Sequence, residues 1–208
     1  VSRARESGSL TVPADSAIYR PANWLDPLDW TQVFPKAQPV EIDIGSGKGG
    51  FLLWAAQAIP ERNFLGIERQ LIRLRKVDKK ILRLQLPNAR QMRCEASYLV
   101  SKLIRDGAVA AYHIYFPDPW PKRRHHPRRL FQPEFIRELH RTLGKGGAVH
   151  AATDDLDYFE YIQKVMRASG LFTEQETDLL PVEAQTEFEK IFLAQGKQIG
   201  RAKYLRKA

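Results

Sequence analysis

Val40-Glu41-Ile42-Asp43-Ile44-Gly45-Ser46-Gly47-Lys48-Gly49-Gly50 decides how the rest of the chain is read. The β-branched run predicts a strand over Val40–Ile44. The glycines that follow let the backbone turn and approach a ligand with no Cβ in the way. A helix that begins in glycine is then expected over Lys48–Ile59. Downstream the same alternation repeats. Strands are predicted at Phe64–Ile67, Arg90–Cys94, Val109–Tyr115 and Ala148–Ala152. Between and after them come helices at Gln70–Leu86, Tyr98–Arg105, Pro133–Leu143 and Leu156–Ser169, the third stopped by Gly144, Gly146 and Gly147. Two final strands are expected near Phe172–Thr177 and Phe188–Ala194, with no helix between them. Repeated βα units predict an α/β fold: a doubly wound, mostly parallel, seven-stranded sheet with an antiparallel hairpin at one edge. Upstream, Arg20–Phe34 is a lead-in carrying Trp24 and Trp30, limited to short helical turns by Pro21 and Pro27. Residues 1–19 are polar, with Gly, Ser and Pro, and read as a flexible arm. Residues 20–208 read as one domain.

At 208 residues and 43% hydrophobic content the chain fills one core and is too short for two large domains. A net charge of +9 favours an anionic partner such as nucleic acid or an anionic membrane surface. No apolar run is long enough to span a bilayer, and the polar opening residues suggest no signal peptide. The single cysteine, Cys94, rules out an internal disulfide framework and a cysteine-rich zinc site. His125 and His126 lie among arginines that repel cations, so no metal is expected. A cytoplasmic protein is the expectation, and monomer and homodimer stay open.

In a doubly wound sheet, ligands sit beyond the carboxyl ends of the strands. That rule places Gly45, Glu68, Glu95, Pro117 and Thr153 on one rim. Gly45, Gly47 and Gly50 match G-x-G-x-x-G, a weak signal alone, and the Gly-Lys-Ser/Thr ending of a triphosphate loop is absent. Asp43 discriminates. A dinucleotide would bring a pyrophosphate against this carboxylate, whereas S-adenosylmethionine brings an ammonium and a sulfonium. Glu68 is placed to accept from ribose hydroxyls, and Glu95 from an adenine amino group. A single such acid is usually a solvated loop carboxylate; three on one rim beside the glycine turn point to S-adenosylmethionine.

After the strand Val109–Tyr115, three prolines in Phe116-Pro117-Asp118-Pro119-Trp120-Pro121 exclude helix and ladder pairing. The stiff corner presents Asp118 and Trp120 and runs into Lys122, Arg123, Arg124, Arg128 and Arg129. An acid and an aromatic beside a cationic run suit chemistry on a nucleobase within a polyanion. Trp120 reads equally as a base-stacking ring or a core-packing one. On the helix Gln70–Leu86 and the residue before it, Arg69, Arg73, Lys76, Lys80 and Arg83 share roughly one quadrant at about 100° per residue, with Asp78 the only acid. Such a face is usually solvated; with acids this scarce, it is also a candidate for phosphate contact.

With these pieces assembled, the chain resembles the bacterial tRNA (guanine-N7-)-methyltransferase family. The resemblance rests on Asp43 to Gly50, Gly66-Ile67-Glu68, Pro117 to His125, Thr153-Asp154, Thr186-Glu187-Phe188-Glu189 and Gln198 to Ala202, and covers roughly residues 36–206. It implies a Rossmann-like class I methyltransferase fold and methylation of guanine 46 in tRNA. It also implies cofactor contacts at Asp43, Gly45, Gly47, Glu68, Glu95 and Asp118, with Asp118 the catalytic acid. Substrate contacts are implied at Lys122, Asp154, Thr186, Glu187, Phe188 and Glu189. The sequence departs from the family at Asp43 and Glu95, each one methylene from the commoner acid. It departs again at Phe188 and Ile191, where Tyr and Lys are frequent; Lys190, on a strand, would face away from Ile191.

Guanine N7 holds an in-plane lone pair and no proton, so its methylation needs alignment and charge stabilisation, not a base. Two other readings compete. One is methylation of an exocyclic base amine, given the distant likeness of Asp-Pro-Trp-Pro to the corner of those enzymes. The other is a non-catalytic RNA-binding subunit, whose mark would be loss of the rim acids, all of which are present.

Overall fold

A computed structural model describes residues 15–175, 177 and 180–208. Its strands are β1 (Val40–Ile44), β2 (Asn63–Ile67), β3 (Ala89–Met92), β4 (Val109–Tyr115), β5 (Leu143–Thr153), β6 (Phe172–Gln175) and β7 (Gly200–Arg206). They form one sheet in the order β3-β2-β1-β4-β5-β7-β6. Strands β1 to β5 run parallel, while β7 is antiparallel to both β5 and β6. The chain winds outward from β1 through β2 to β3, then returns to start β4 on the other side of β1. The switch point therefore lies between β1 and β4, where a crevice opens for a ligand.

The helices are α1 (Trp30–Val33), α2 (Gly50–Ala58), α3 (Leu71–Arg83), α4 (Ala96–Tyr98), α5 (Pro133–Thr142), α6 (Leu156–Ser169) and α7 (Glu187–Ala194). A π-helical turn, Leu99–Leu103, extends α4. Helices α2 and α3 bury Phe51, Leu52, Ala55, Val77 and Ile81 against one face of the sheet. Phe135, Leu139, Tyr158 and Ile162, from α5 and α6, pack into the core on the other face. Every residue of β1 and β2 is buried, as expected of strands covered on both faces. No helix among the described residues is long and apolar enough to cross a membrane.

Gly144, Gly146 and Gly147, expected to stop a helix, lie inside β5, and α5 ends before them at Thr142. A second expectation also fails. Phe188–Ala194 is not a strand; it lies in the helix α7, and the seventh strand is Gly200–Arg206. Thr186 caps the helix, its hydroxyl accepting from the Glu189 N–H at 3.2 Å. Phe188, Ile191 and Phe192 then recur at helical spacing, and Gly196, with φ of +69°, follows the helix end. The true strand alternates, burying Ala202 and Tyr204. The antiparallel edge pair is thus joined through α7 and not by a tight turn, with β7 inserted between β5 and β6. Lys190 and Ile191 are both exposed on the helix, not opposed across a strand.

Of the expected arm, residues 1–14 lie outside the described residues. Residues 15–19 run along the free edge of β3. Ile18 bridges to Gln91, and the Tyr19 N–H donates to the Gln91 carbonyl at 2.7 Å. The Ala17 N–H and the Ser16 hydroxyl donate to Asp78 on α3, at 2.7 and 3.1 Å.

Candidate active site

Strand β1 delivers the chain into the glycine turn at the switch point. Gly45, with φ of +80°, donates its N–H to the Ile67 carbonyl at 2.8 Å, and Gly49, with φ of +78°, lies against Val77 of α3. A side chain at Gly49 would meet Val77 at 2.7 Å, so both conformation and space call for glycine there. Gly47 sits between them in the same turn.

Asp43 is 4% exposed, and no cation pairs with it among the described residues. Burial, reinforced by the nearby charge of Glu68, raises its carboxyl from 3.8 to about 7. Glu68, also buried, accepts from the Gln70 N–H at 2.8 Å and lies 3.6 Å from the Arg73 guanidinium. Glu95 is exposed at the start of α4, where one carboxylate oxygen accepts from the Tyr98 N–H at 2.8 Å.

The proline corner follows β4, beside β1. Phe116 and Trp120 flank Asp118 at φ of +54° and +45°, values that non-glycine residues seldom adopt. The corner is held from both sides: the Phe116 N–H donates to the Ala152 carbonyl at 2.7 Å, and Arg129 donates to the Pro119 carbonyl at 2.8 Å. Asp118 is exposed. Trp120 is half-buried and outside the hydrophobic core, with the Arg128 guanidinium 5.1 Å above its ring and His125 edge-on at 5.7 Å. Lys122 is exposed and precedes a 3-10 helix, Arg123–Arg128. Arg129, grouped in the sequence with the cationic run suited to a polyanion, is only 5% exposed and lies over Tyr158 and Tyr161.

Helix α7 closes the site from above. Gln185 and Thr186 approach Gly50, and Glu187 pairs with Lys48 of the glycine turn. The segment expected to touch substrate therefore also roofs the turn. Phe188 is 50% exposed, its ring stacked on Phe192. Glu189 is fully buried; one oxygen pairs with Arg201, and the other has no hydrogen-bond partner. Asp154 is half-buried and pairs with Lys197 at 2.8 Å.

A buried polar row beneath the site was not anticipated. Glu41 pairs with Arg62 and accepts from His113 Nε2 at 2.7 Å, while His113 Nδ1 meets the Tyr115 hydroxyl at 3.0 Å. Burial alone would raise the Glu41 carboxyl, but His113 and Arg62 outweigh it and lower it. His150 stacks on His113 and is held near 3 by burial and by the charge of His113. The alternation Glu41/Asp43 and His113/Tyr115 was the signal available: polar residues at period two inside otherwise apolar strands share one face.

Residues 37–202 match a protein-family model described as a putative methyltransferase. The chain is 34% identical over 198 residues to the tRNA (guanine-N(7)-)-methyltransferase of Bacillus subtilis, a match spanning 93% of this chain and 92% of that protein. It is 35% identical over 182 residues to the enzyme of the same description from Geobacillus thermodenitrificans, with 85% and 84% covered. Among solved structures, the 16S rRNA methyltransferase KamB superposes with a TM-score of 0.62 at 15% identity, over 85% of this chain and 91% of that one. An antibiotic-related methyltransferase gives 0.57 at 18%, over 86% and 92%. At such identities these two establish the fold alone.

Proposed function

The chain belongs to the tRNA (guanine-N7-)-methyltransferase family, and from that premise we propose that it transfers the methyl group of S-adenosylmethionine to N7 of a guanine in tRNA. The residues at the turn suit that cofactor. Asp43 is a buried acid with no paired cation among the described residues, and Glu189 has a buried oxygen without a partner. Both favour a ligand carrying positive charge. Glu68 is set to accept from ribose hydroxyls. Glu95 uses one oxygen to cap α4 and offers the other to an adenine amino group. Bound there, S-adenosylmethionine supplies a methyl group activated by its sulfonium.

Asp118 faces solvent from a rigid corner, ready to accept from the guanine edge and to offset the positive charge that grows on the ring. Lys122, Asp154, Phe188 and the 3-10 helix Arg123–Arg128 are assigned to tRNA. Thr186 and Glu187 hold α7 over the glycine turn. The pairing of β1 with β4 carries this reading: it brings the cation-seeking turn beside the Asp118 corner. We extend it to a single catalytic domain over residues 20–208, cytoplasmic, working as a monomer or homodimer. The test is mass spectrometry of nucleosides from a tRNA transcript incubated with the protein and S-adenosylmethionine. 7-Methylguanosine is expected; an exocyclic N-methylated base in its place, or no methylated nucleoside, would overturn the proposal.

A further inference from the structure

Helix α3 carries a basic row, and the structure divides it. Arg73 is drawn to Glu68 at 3.6 Å, and Arg69 stands at the rim assigned to the cofactor. Lys76, Lys80 and Arg83 lie on the same flank but run away from the rim, down the side of the sheet. No carboxylate pairs with any of these three among the described residues. The acids that border the helix are already engaged. Glu68 is held by Arg73 and the Gln70 N–H, Glu187 by Lys48, and Asp78 by Ser16 and Ala17. At about 100° per residue, Asp78 also lies on the opposite flank of the helix from Lys76 and Lys80. Lys80 Nζ donates to the Lys48 carbonyl at 3.3 Å, so the row faces the glycine turn and α2. Helix α2 has no charged residue, and it offsets nothing.

Lys76 and Arg83 are two helical turns apart, about 10 Å along the axis, with Lys80 between them. Cations one turn apart with no free acid among them match the regular negative charge of a sugar–phosphate backbone. The apolar face of the helix, Leu74, Val77 and Ile81, is buried in the core, which favours a polyanion over a membrane surface as the partner. The row and the 3-10 helix Arg123–Arg128 lie on opposite faces of the sheet. Helix α3 packs with α2 on one face. Arg129, at the end of the 3-10 helix, lies over Tyr158 and Tyr161 of α6 on the other. Asp118 stands at the rim between the two basic elements.

We propose that Lys76, Lys80 and Arg83 hold the tRNA backbone at a point away from the target guanine, so that the tRNA straddles the carboxyl rim and is gripped from both faces of the sheet. The assignment rests on the tRNA reading above and adds a second contact to it. The test uses the full chain with Lys76→Gln, Lys80→Gln and Arg83→Gln combined. Glutamine keeps a good helix former at each position, and a thermal melt checks that the fold is kept. A control variant, Lys145→Gln with Lys164→Gln, removes exposed charge elsewhere. Filter binding across salt concentrations reads affinity for an unmodified tRNA transcript and for a short RNA hairpin carrying only the target guanine in its loop. On tRNA, the α3 variant should flatten the slope of log K against log salt by about two to three units and lose on the order of 10²-fold in affinity near 0.1 M salt. On the hairpin, which is too short to reach round the rim, it should bind like the wild type. The control should match the wild type on both RNAs. A wild-type slope on tRNA in the α3 variant would overturn the assignment. So would an equal flattening in the control, which would make the effect one of net charge, or an equal loss on the hairpin, which would put α3 at the guanine itself. Because binding is read without turnover, a wild-type chain that grips tRNA through α3 but methylates no guanine would count against the proposed function and not against this contact.

Discussion

Asp43→Asn should stabilise the ligand-free protein while abolishing its affinity for the cofactor. The folded state holds this carboxyl at about 7 against an ordinary 3.8. A group whose folded pKa is raised in this way keeps a proton that the unfolded chain has already lost. Stability therefore falls as pH climbs from about 4 to about 7, then levels off. At about 1.4 kcal/mol for each tenfold change in ionisation constant, the penalty is on the order of 4 kcal/mol at pH 8 and falls to less than half of that at pH 5. Asparagine keeps the shape and removes the charge, so the variant escapes the penalty. Urea unfolding of both proteins at the two pH values measures it: the midpoint gap at pH 8 should be on the order of 1–2 M and shrink by more than half at pH 5. Calorimetry with S-adenosylhomocysteine should show binding only to the wild type, since its ammonium loses the buried carboxylate. A variant no more stable than wild type at pH 8, or a gap independent of pH, would refute the claim that Asp43 is an unpaired, buried acid kept for a cation.

Asp118→Ala should lower kcat on the order of 10²-fold with an unchanged melting temperature, because prolines and the bonds from Phe116 and Arg129 make the corner; wild-type turnover at saturating tRNA and cofactor would remove Asp118 from the chemistry. Arg123, Arg124 and Arg128 replaced together by Ala should flatten the salt dependence of tRNA binding by roughly two to three units of slope and leave stability intact. Arg129→Ala should differ from them, lowering the melting temperature, since its guanidinium is buried over two tyrosines and holds the Pro119 carbonyl; equal behaviour of all four arginines would contradict the structure. Thr186→Ala should cost about 1 kcal/mol through loss of the α7 cap and raise KM for S-adenosylmethionine, as steady-state kinetics would show.

Local pattern in the sequence was enough for most of the frame. The strands Val40–Ile44 and Val109–Tyr115 and the helix Leu156–Ser169 have the bounds that periodicity predicts, because apolar spacing and glycine or proline stops act within a few residues. The rim acids Asp43, Glu68 and Glu95 were legible for the same reason: each directly follows, or nearly ends, a recognisable strand. What sequence left undecided depends on neighbours far along the chain. Phe188–Ala194 is apolar enough for either a strand or a helix, and it became a helix because Thr186 caps it while Gly200–Arg206 takes the place beside β5. Arg129 and Arg128 are adjacent and identical in type, yet Tyr158 and Tyr161 on α6 draw one into the interior and leave the other over Trp120. The charge of Asp78 is answered by Ser16 and Ala17, and the acidity of Asp43 is set by burial and by Glu68 across the sheet. Electrostatics and burial are properties of distance in space, so only the tertiary structure fixes which charges meet and which acid is left waiting for a ligand.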